Sequence, residues 1–196
     1  MVLDPGYVQL RLLTTPIVAV TSSAGGRRNG MISNSAQRAS LVPALPRISV
    51  YISKPNYTHD LVYASGVFGI HLLRTDQWDL IWHLGLQSGR DVEKLSSVAH
   101  HVGQSGCPLL DDCLIAYECR VINAMDAGAA TFFLGDVLSV GIGPPAAVMT
   151  SDYYRQNIPE DRKQQYEARL MEAQRFLEPL ARTVETRPWP GPTHSP

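Results

Sequence analysis

Asn29-Gly-Met-Ile-Ser-Asn-Ser-Ala-Gln-Arg-Ala-Ser-Leu-Val-Pro43 lies between two stretches with strand character. Before it come the β-branched run Pro16-Ile-Val-Ala-Val-Thr-Ser22 and a basic connection, Ser23-Ala-Gly-Gly-Arg-Arg28. After it comes Arg47-Ile-Ser-Val-Tyr-Ile-Ser53, where apolar and polar residues alternate with the period of a half-buried strand. Ser33, Asn34, Ser35, Gln37 and Ser40 are short hydroxyl and amide side chains, with Arg38 in their midst. Such residues supply compact donors and let a ligand approach the backbone closely. Two readings stay open at this point: a wall that receives a phosphate or a polar ring edge, and a solvated polar strand.

The 196 residues suffice for one sizeable core, and a single domain with an appendage is expected: residues 1–150, then a tail over 151–196. Hydrophobic residues make up 44% and charged residues 18%, a globular composition. A net charge of -1 gives no bulk attraction to nucleic acid or to an anionic membrane surface. No apolar run approaches the roughly 20 residues of a membrane-spanning helix. Met1-Val-Leu-Asp-Pro-Gly6 lacks the order of a signal peptide, so a cytoplasmic protein is expected. Cys107, Cys113 and Cys119 form no C-x-x-C pair and read as buried free thiols.

In chain order, Tyr7–Leu13 alternates weakly and Ile17–Ser22 reads as a strand. Ser23–Asn29 reads as a turn or loop, with Arg27 and Arg28 either a solvated tip or part of an anion-binding rim. Leu41–Pro46 is a proline-bearing connection into the Arg47–Ser53 strand. A short helix is expected to start near Thr58 as cap and to end at Gly66, with Asp60 in its first turn. Val67–Leu73 is the next strand, and a second helix should begin at Thr75 or Asp76. Its Trp78, Ile81 and Trp82 share a face suited to core or interface packing.

Residues 87–111 are polar and broken by Gly103, Gly106 and Pro108, so a long excursion with one helical turn is expected. His100-His101 falls within it as surface loop, since adjacent histidines do not face one another on a regular element. Leu114–Val121 and Ala130–Val140 are two longer strands about a turn at Asn123–Gly128. Tyr166, Leu170, Ala173 and Leu177 give a helix bounded by Pro159 and Pro179 one apolar stripe, which should dock on its own barrel or on a partner subunit. Arg187–Pro196 is proline-rich and is expected to be extended or disordered. Short strands with turn signals and only small inserted helices indicate a mostly β, antiparallel barrel with inserted helices plus a C-terminal helix. No G-x-G-x-x-G follows a strand, and neither a P-loop nor a G-x-S-x-G elbow occurs.

The ordered set Pro16–Thr21, Asn29–Ser35, Gln37–Pro43, Tyr57-Thr-His59, Ser65–Leu73, Ser88–Lys94, Cys107–Asp111, Tyr117–Val121 and Phe133–Val137 resembles the flavin-reductase-like family of FMN-binding split barrels. The likeness covers about residues 10 to 142. It implies FMN, with FAD as an alternative, bound along Met31 to Leu41 through Met31, Ser33, Asn34, Ser35, Gln37, Arg38 and Ser40. Ser53, Lys54, Tyr57, Thr58 and His59 are implied near the phosphate, where a lysine and a helix N-terminus suit an anion. Read from the residues alone, Lys54 is equally an exposed surface lysine, and His59 a first-turn residue without a ligand.

Members that reduce flavin with a nicotinamide often carry Asp-His-Thr where this chain has Ala129-Ala130-Thr131, and that histidine lies close to flavin and nicotinamide. No catalytic residue is therefore nominated. The resemblance implies an NAD(P)H-dependent flavin reductase, a homodimer, passing reduced flavin or electrons to a partner such as a monooxygenase. A second reading is an FMN-binding protein without nicotinamide-dependent activity, an electron carrier or ligand-binding module. A third is a barrel with an empty pocket whose tail helix serves assembly.

Overall fold

A computed structural model of the chain describes Gln9, Leu10, Leu12, Leu13 and residues 15–184. Of the Tyr7–Leu13 alternation, Tyr7, Val8 and Arg11 fall outside these residues while Gln9 and Leu10 are helical, and the proline-rich Arg187–Pro196 segment lies entirely outside. Among the described residues nine strands run in chain order: β1 Val18–Ala24, β2 Arg27–Ser33, β3 Gln37–Arg38, β4 Arg47–Ser53, β5 Val67–Leu72, β6 His100–Val102, β7 Pro108–Leu110, β8 Ile115–Asp126 and β9 Ala130–Ile142. Helices α1 Tyr57–Ser65, α2 Trp78–Gly85, α3 Ser151–Asn157 and α4 Glu160–Ala181 complete the fold, with a 3₁₀ turn at Lys94–Ser97.

Seven strands form one sheet in the order β2-β1-β5-β8-β9-β4-β3, and each pairing within it is antiparallel. The sheet curls until its edges meet: Ser35, just past β2, donates its hydroxyl to the Tyr51 carbonyl of β4 at 2.7 Å. This is the expected antiparallel split barrel. Strand β4 shows how the alternation builds it, since Ile48, Val50 and Ile52 are buried while Arg47, Ser49, Tyr51 and Ser53 are half-buried. Val18, Val20, Phe68, Ile70, Cys119 and Phe133 join them in the barrel core. A second core beneath α2 holds Ala19, Leu73, Ile81, Leu84, Leu95 and Met149.

Several expectations need correction. The turn expected over Ser23–Asn29 is confined to Gly25 and Gly26, which at φ +56° and +76° reverse the chain, while Ser23-Ala24 belong to β1 and Arg27–Asn29 to β2. Positive φ at both central positions is the hairpin geometry that glycine permits without strain. The N-cap position of helix α1 is Asn56, whose side chain makes no cap bond, and not Thr58, which is buried further along it, whereas Gly66 closes the helix as expected. Helix α2 starts at Trp78 behind Gln77, because the Gln77 side chain turns back to accept from Arg74 N–H at 2.9 Å. Its Trp78 and Trp82 stack at 5.2 Å and pack against Tyr154.

His100-His101 is not loop but strand, since β6 and β7 form a hairpin closed across Val102 and Pro108. Strand β8 runs on to Asp126, so the turn to β9 is shorter than expected. The three cysteines are buried and free, and burial pushes the Cys107 and Cys113 thiols up to about 12 and 11. Lys94 is buried too, its ammonium donating to the Leu84 carbonyl (2.7 Å) and the Gln87 carbonyl (3.2 Å) near the end of α2, while burial lowers its pKa to about 8.

The tail has a helix that the sequence pattern did not suggest, α3, capped by Thr150 accepting from Tyr153 N–H at 3.0 Å. Pro179 lies inside α4 rather than beyond it. Helix α4 buries no residue; Tyr166 meets Tyr154, Arg162 lies over Trp82, and its last turn reaches the β8–β9 turn at Gly128. It therefore touches its own chain at both ends, while Leu170, Met171 and Phe176 remain exposed. Among the described residues no helix is long and apolar enough to cross a membrane.

Candidate functional site

The polar end of β2 is organised around Ser33. Its hydroxyl accepts from Ser35 N–H at 3.2 Å and lies 2.8 Å from the Ser35 hydroxyl, which in turn is held by Tyr51. These groups sit where β2 meets β4, half-buried, with Asn34 exposed beside them. Met31 packs against the barrel core. Gln37 and Arg38 pair with Ser49 and Ile48 on the edge strand β3, and Ser40 accepts from Val42 N–H at 3.1 Å. Gln37, Arg38 and Ser40 line a cleft of about 430 Å³ whose apolar wall includes Val18, Ile70, Leu72, Tyr117, Val137 and Val140.

The remaining expected residues gather at the Ser53 end of β4, two residues past the Tyr51 carbonyl that holds Ser35, about 7 Å at the rise of a strand. Ser53 pairs with Ala130, and Lys54 N–H donates to the Ala129 carbonyl at 3.0 Å. The Lys54 ammonium stands 2.9 Å from Asp126, which it holds below the usual carboxylate range together with the Gly128 N–H. Helix α1 starts three residues after Lys54, at Tyr57, and Asn56 at its N-cap position makes no side-chain cap bond. That leaves the first turn without the usual side-chain acceptor, an arrangement that suits an anion. The Thr58 hydroxyl accepts from Asn29 Nδ2 at 2.9 Å and is spent on tying α1 to β2.

His59 is 7% exposed, with Nε2 2.9 Å from the Thr131 hydroxyl and its ring packed against Tyr63 and Phe133. Burial lowers its pKa below the ordinary value, against the opposing pull of Asp60. Its Nδ1 is buried without a hydrogen bond, the Asp60 carboxylate standing 3.5 Å off. Ala130 has no exposed surface and Ala129 little. The side chains that tertiary structure adds to this end are Arg27 and Arg90, whose guanidiniums lie 5.2 and 5.1 Å from the Tyr57 ring. Asn29, which ties β2 to α1, is a further addition. In the sequence the only pointer to Arg90 is its place in the Ser88-Gly-Arg90 stretch.

The chain thus brings the expected residues together as two neighbouring groups along β4, Ser33 to Arg38 beside Ile48–Tyr51 and Lys54 to His59 past Ser53. One is a polar cleft rim with an apolar wall, fit for the edge of a flat ring. The other is a lysine beside an uncapped helix start, fit for a phosphate.

Residues 10–159 match the model of the flavin reductase like domain. A high molecular weight rubredoxin from Moorella thermoacetica is 32% identical over 149 residues, which cover 75% of this chain and 64% of that protein. A ferric-chelate reductase (NAD(P)H) from Archaeoglobus fulgidus is 31% identical over 138 residues, covering 69% of this chain and 80% of that one. The chain therefore spans just under two thirds of the rubredoxin. Among solved structures, the FMN-binding protein of Thermus thermophilus with bound 1-cyclohex-2-enone superposes with a TM-score of 0.63 at 26% identity, covering 72% of this chain and 77% of that one.

Proposed function

The chain belongs to the flavin reductase like domain family, and from that premise we propose that it is an FMN-dependent reductase that oxidises NAD(P)H. The observation that carries the reading is the placement of polar groups along β4, with Ser33 and Ser35 held at Tyr51 and Lys54 beside the start of α1, where no side-chain cap is made. Bound flavin supplies the chemistry, accepting a hydride from a nicotinamide and releasing electrons to an acceptor. The protein's part is to hold and orient it. Ser33, Asn34, Ser35, Gln37, Arg38 and Ser40 line the ring and ribityl side with short donors, while Met31 fills space beneath them. Ser53, Lys54, Tyr57, Thr58 and His59 form the phosphate end, with Lys54 exchanging Asp126 for the phosphate. FAD fits the same ring and ribityl contacts.

A named relative that uses NAD(P)H and a structural neighbour that binds FMN support this reading. Pairing as a homodimer is supported by the exposed apolar residues Ile122, Met125, Phe132, Val140 and Ile142 of β8 and β9. Reduced flavin or its electrons then pass to a partner such as a monooxygenase. One observation favours a second reading, a flavin carrier without nicotinamide chemistry: Ala129 and Ala130 are buried small residues that present no imidazole.

Purified protein, or protein soaked in FMN and desalted, should show flavin absorbance, and anaerobic NADH or NADPH should bleach it. Absence of flavin uptake overturns both readings. Uptake without bleaching by either nucleotide leaves only the carrier.

A further inference from the structure

Arg38 breaks the alternation that builds the barrel. On β4 the inward positions are Ile48, Val50 and Ile52, all buried, and Arg38 of the edge strand β3 stands directly across from Ile48. Cross-strand partners share a face of the sheet, so Arg38 occupies the inner face, where an apolar residue would continue the pattern. Gln37, opposite Ser49, takes the outer face. Arg47 is on the outer face too, and its guanidinium is engaged there, donating from Nε to Asp136 at 2.8 Å. The Arg38 guanidinium has neither a hydrogen bond nor an ion pair among the described residues.

What Arg38 borders is an open end of the barrel. The cleft of about 430 Å³ runs inward from Arg38 to Val18, Ile70, Leu72 and Tyr117, which belong to the barrel core or pack against it. Barrel mouths are a common place for small-molecule sites, and this volume is within the range such sites have. The connection Leu41–Pro46 forms a lip on the cleft, set by Val42 N–H donating to the Ser40 hydroxyl and Leu45 N–H donating to the Val42 carbonyl at 3.0 Å. Among the described residues no Asp or Glu lines the cleft, and Arg38 is its one charged side chain without a partner. Ile48 precedes Ser53 by five residues, about 17 Å at the rise of a strand, so this mouth lies away from the lysine and helix start that suit the flavin phosphate.

An apolar cavity with an unpaired guanidinium at its entrance selects a ligand of matching make-up. A neutral apolar molecule leaves the guanidinium to water, and a compact anion leaves the walls unused. A carboxylate on an apolar body satisfies both, since its two oxygens match the N–H fork and its body takes the aliphatic walls out of water. We propose that the barrel mouth binds an amphipathic monocarboxylate, with its carboxylate on Arg38 and its apolar body against Ile70, Leu72 and Val137. This site is additional to the flavin site, which uses the backbone and short side chains along the β2–β3 edge, whereas the Arg38 side chain lies on the inner face.

Calorimetric titration of the full-length protein, with and without saturating FMN, uses sodium octanoate and 1-octanol as probes. Wild type should bind octanoate at least about tenfold more tightly than 1-octanol, as one charge-assisted pair supplies. Arg38→Gln should bring octanoate to the level of 1-octanol and leave 1-octanol as in wild type. Val140→Trp, at an exposed position of the cleft wall, should weaken both probes about tenfold by filling the cleft, with unchanged thermal unfolding showing that each variant folds. Equal binding of the two probes, or octanoate binding that Arg38→Gln leaves unmoved, overturns the proposal. Competition between octanoate and FMN overturns it by making the cleft part of the flavin site. An affinity that falls as protein concentration rises overturns it by seating a second copy there. Absence of octanoate binding, with Arg38→Gln self-associating, overturns it as well and makes Arg38 a guard of the sheet edge. The reductase reading is untouched by these outcomes, because it stands or falls on flavin uptake and bleaching.

Discussion

Glu118, on β8, is 1% exposed, yet burial does not leave its carboxyl protonated. Burial alone pushes its pKa up, but the Ser105 hydroxyl and N–H, each 2.6 Å from Oε1, and the Ser139 hydroxyl, 2.9 Å from Oε2, outweigh it and leave the group lowered. Ser105 lies in the β6–β7 turn, so the carboxylate fastens the hairpin to the barrel. Removing the charge and removing the acceptor have different consequences. Glu118→Gln keeps an oxygen for Ser105, and the Ser139 hydroxyl can turn to accept from the new amide, so the loss should be about 1 kcal/mol. Glu118→Leu strands a backbone N–H and two hydroxyls and should cost about 3 kcal/mol. Urea unfolding of the two variants checks this, and equal losses would mean that the donor set is not what holds the hairpin.

At the scale of elements, the parts legible in the sequence were those with a local cause. Alternation marked β4, and Gly66 marked the end of α1, because burial period and backbone conformation are written in neighbouring residues. Strand β2 was read in part as loop because Arg27, Arg28, Asn29 and Gly30 carry no strand pattern; pairing with β1 is what makes them one. The β6–β7 hairpin failed for the same reason, each strand being three residues long. Within the site, Ser33, Ser35 and Lys54 were nominated through family likeness, whereas Arg27 and Arg90 meet at Tyr57 only after folding. The resting place of α4 was equally non-local. Gly128, at φ +74°, lies under its last turn, where an added Cβ would collide with the Leu180 carbonyl and stand 3.1 Å from Val184 N. Gly128→Ala should destabilise the protein by about 2 kcal/mol, since a left-handed conformation alone costs a residue with a Cβ 1–2 kcal/mol. Hydrogen exchange should also quicken over residues 174–184. Faster exchange confined to the turn would show that α4 gains nothing from that contact.

Across the whole molecule, the barrel and the β6–β7 hairpin are joined by a second buried polar group, His71 of β5. Its Nδ1 faces the Ala19 carbonyl of β1 at 3.2 Å, and its Nε2 accepts from the Leu110 N–H of β7 at 3.0 Å. That pairing requires the neutral ring with its proton on Nδ1, since a second proton would point at the Leu110 N–H. Burial pushes His71 down to about 4, against the Ala19 carbonyl, which raises it, and with a smaller downward contribution from His101. Above pH 6.5 the ring is neutral in the folded and unfolded chains alike, so it adds no pH dependence. Between pH 6.5 and 4 the unfolded chain binds a proton that the folded chain refuses, and stability falls as the medium is acidified. The difference between the two pKa values corresponds to about 3 kcal/mol once the whole window has been crossed. The lowered His59 acts in the same direction. His71→Gln can donate to Ala19 and accept from Leu110 without titrating. It should therefore be less stable than wild type at pH 7 but lose much less between pH 6.5 and 4, as read from urea midpoints across that range. Parallel curves for the two proteins would move the linkage away from His71. A converging pair would place on one imidazole both the acid sensitivity of the fold and the attachment of the β6–β7 hairpin to the barrel.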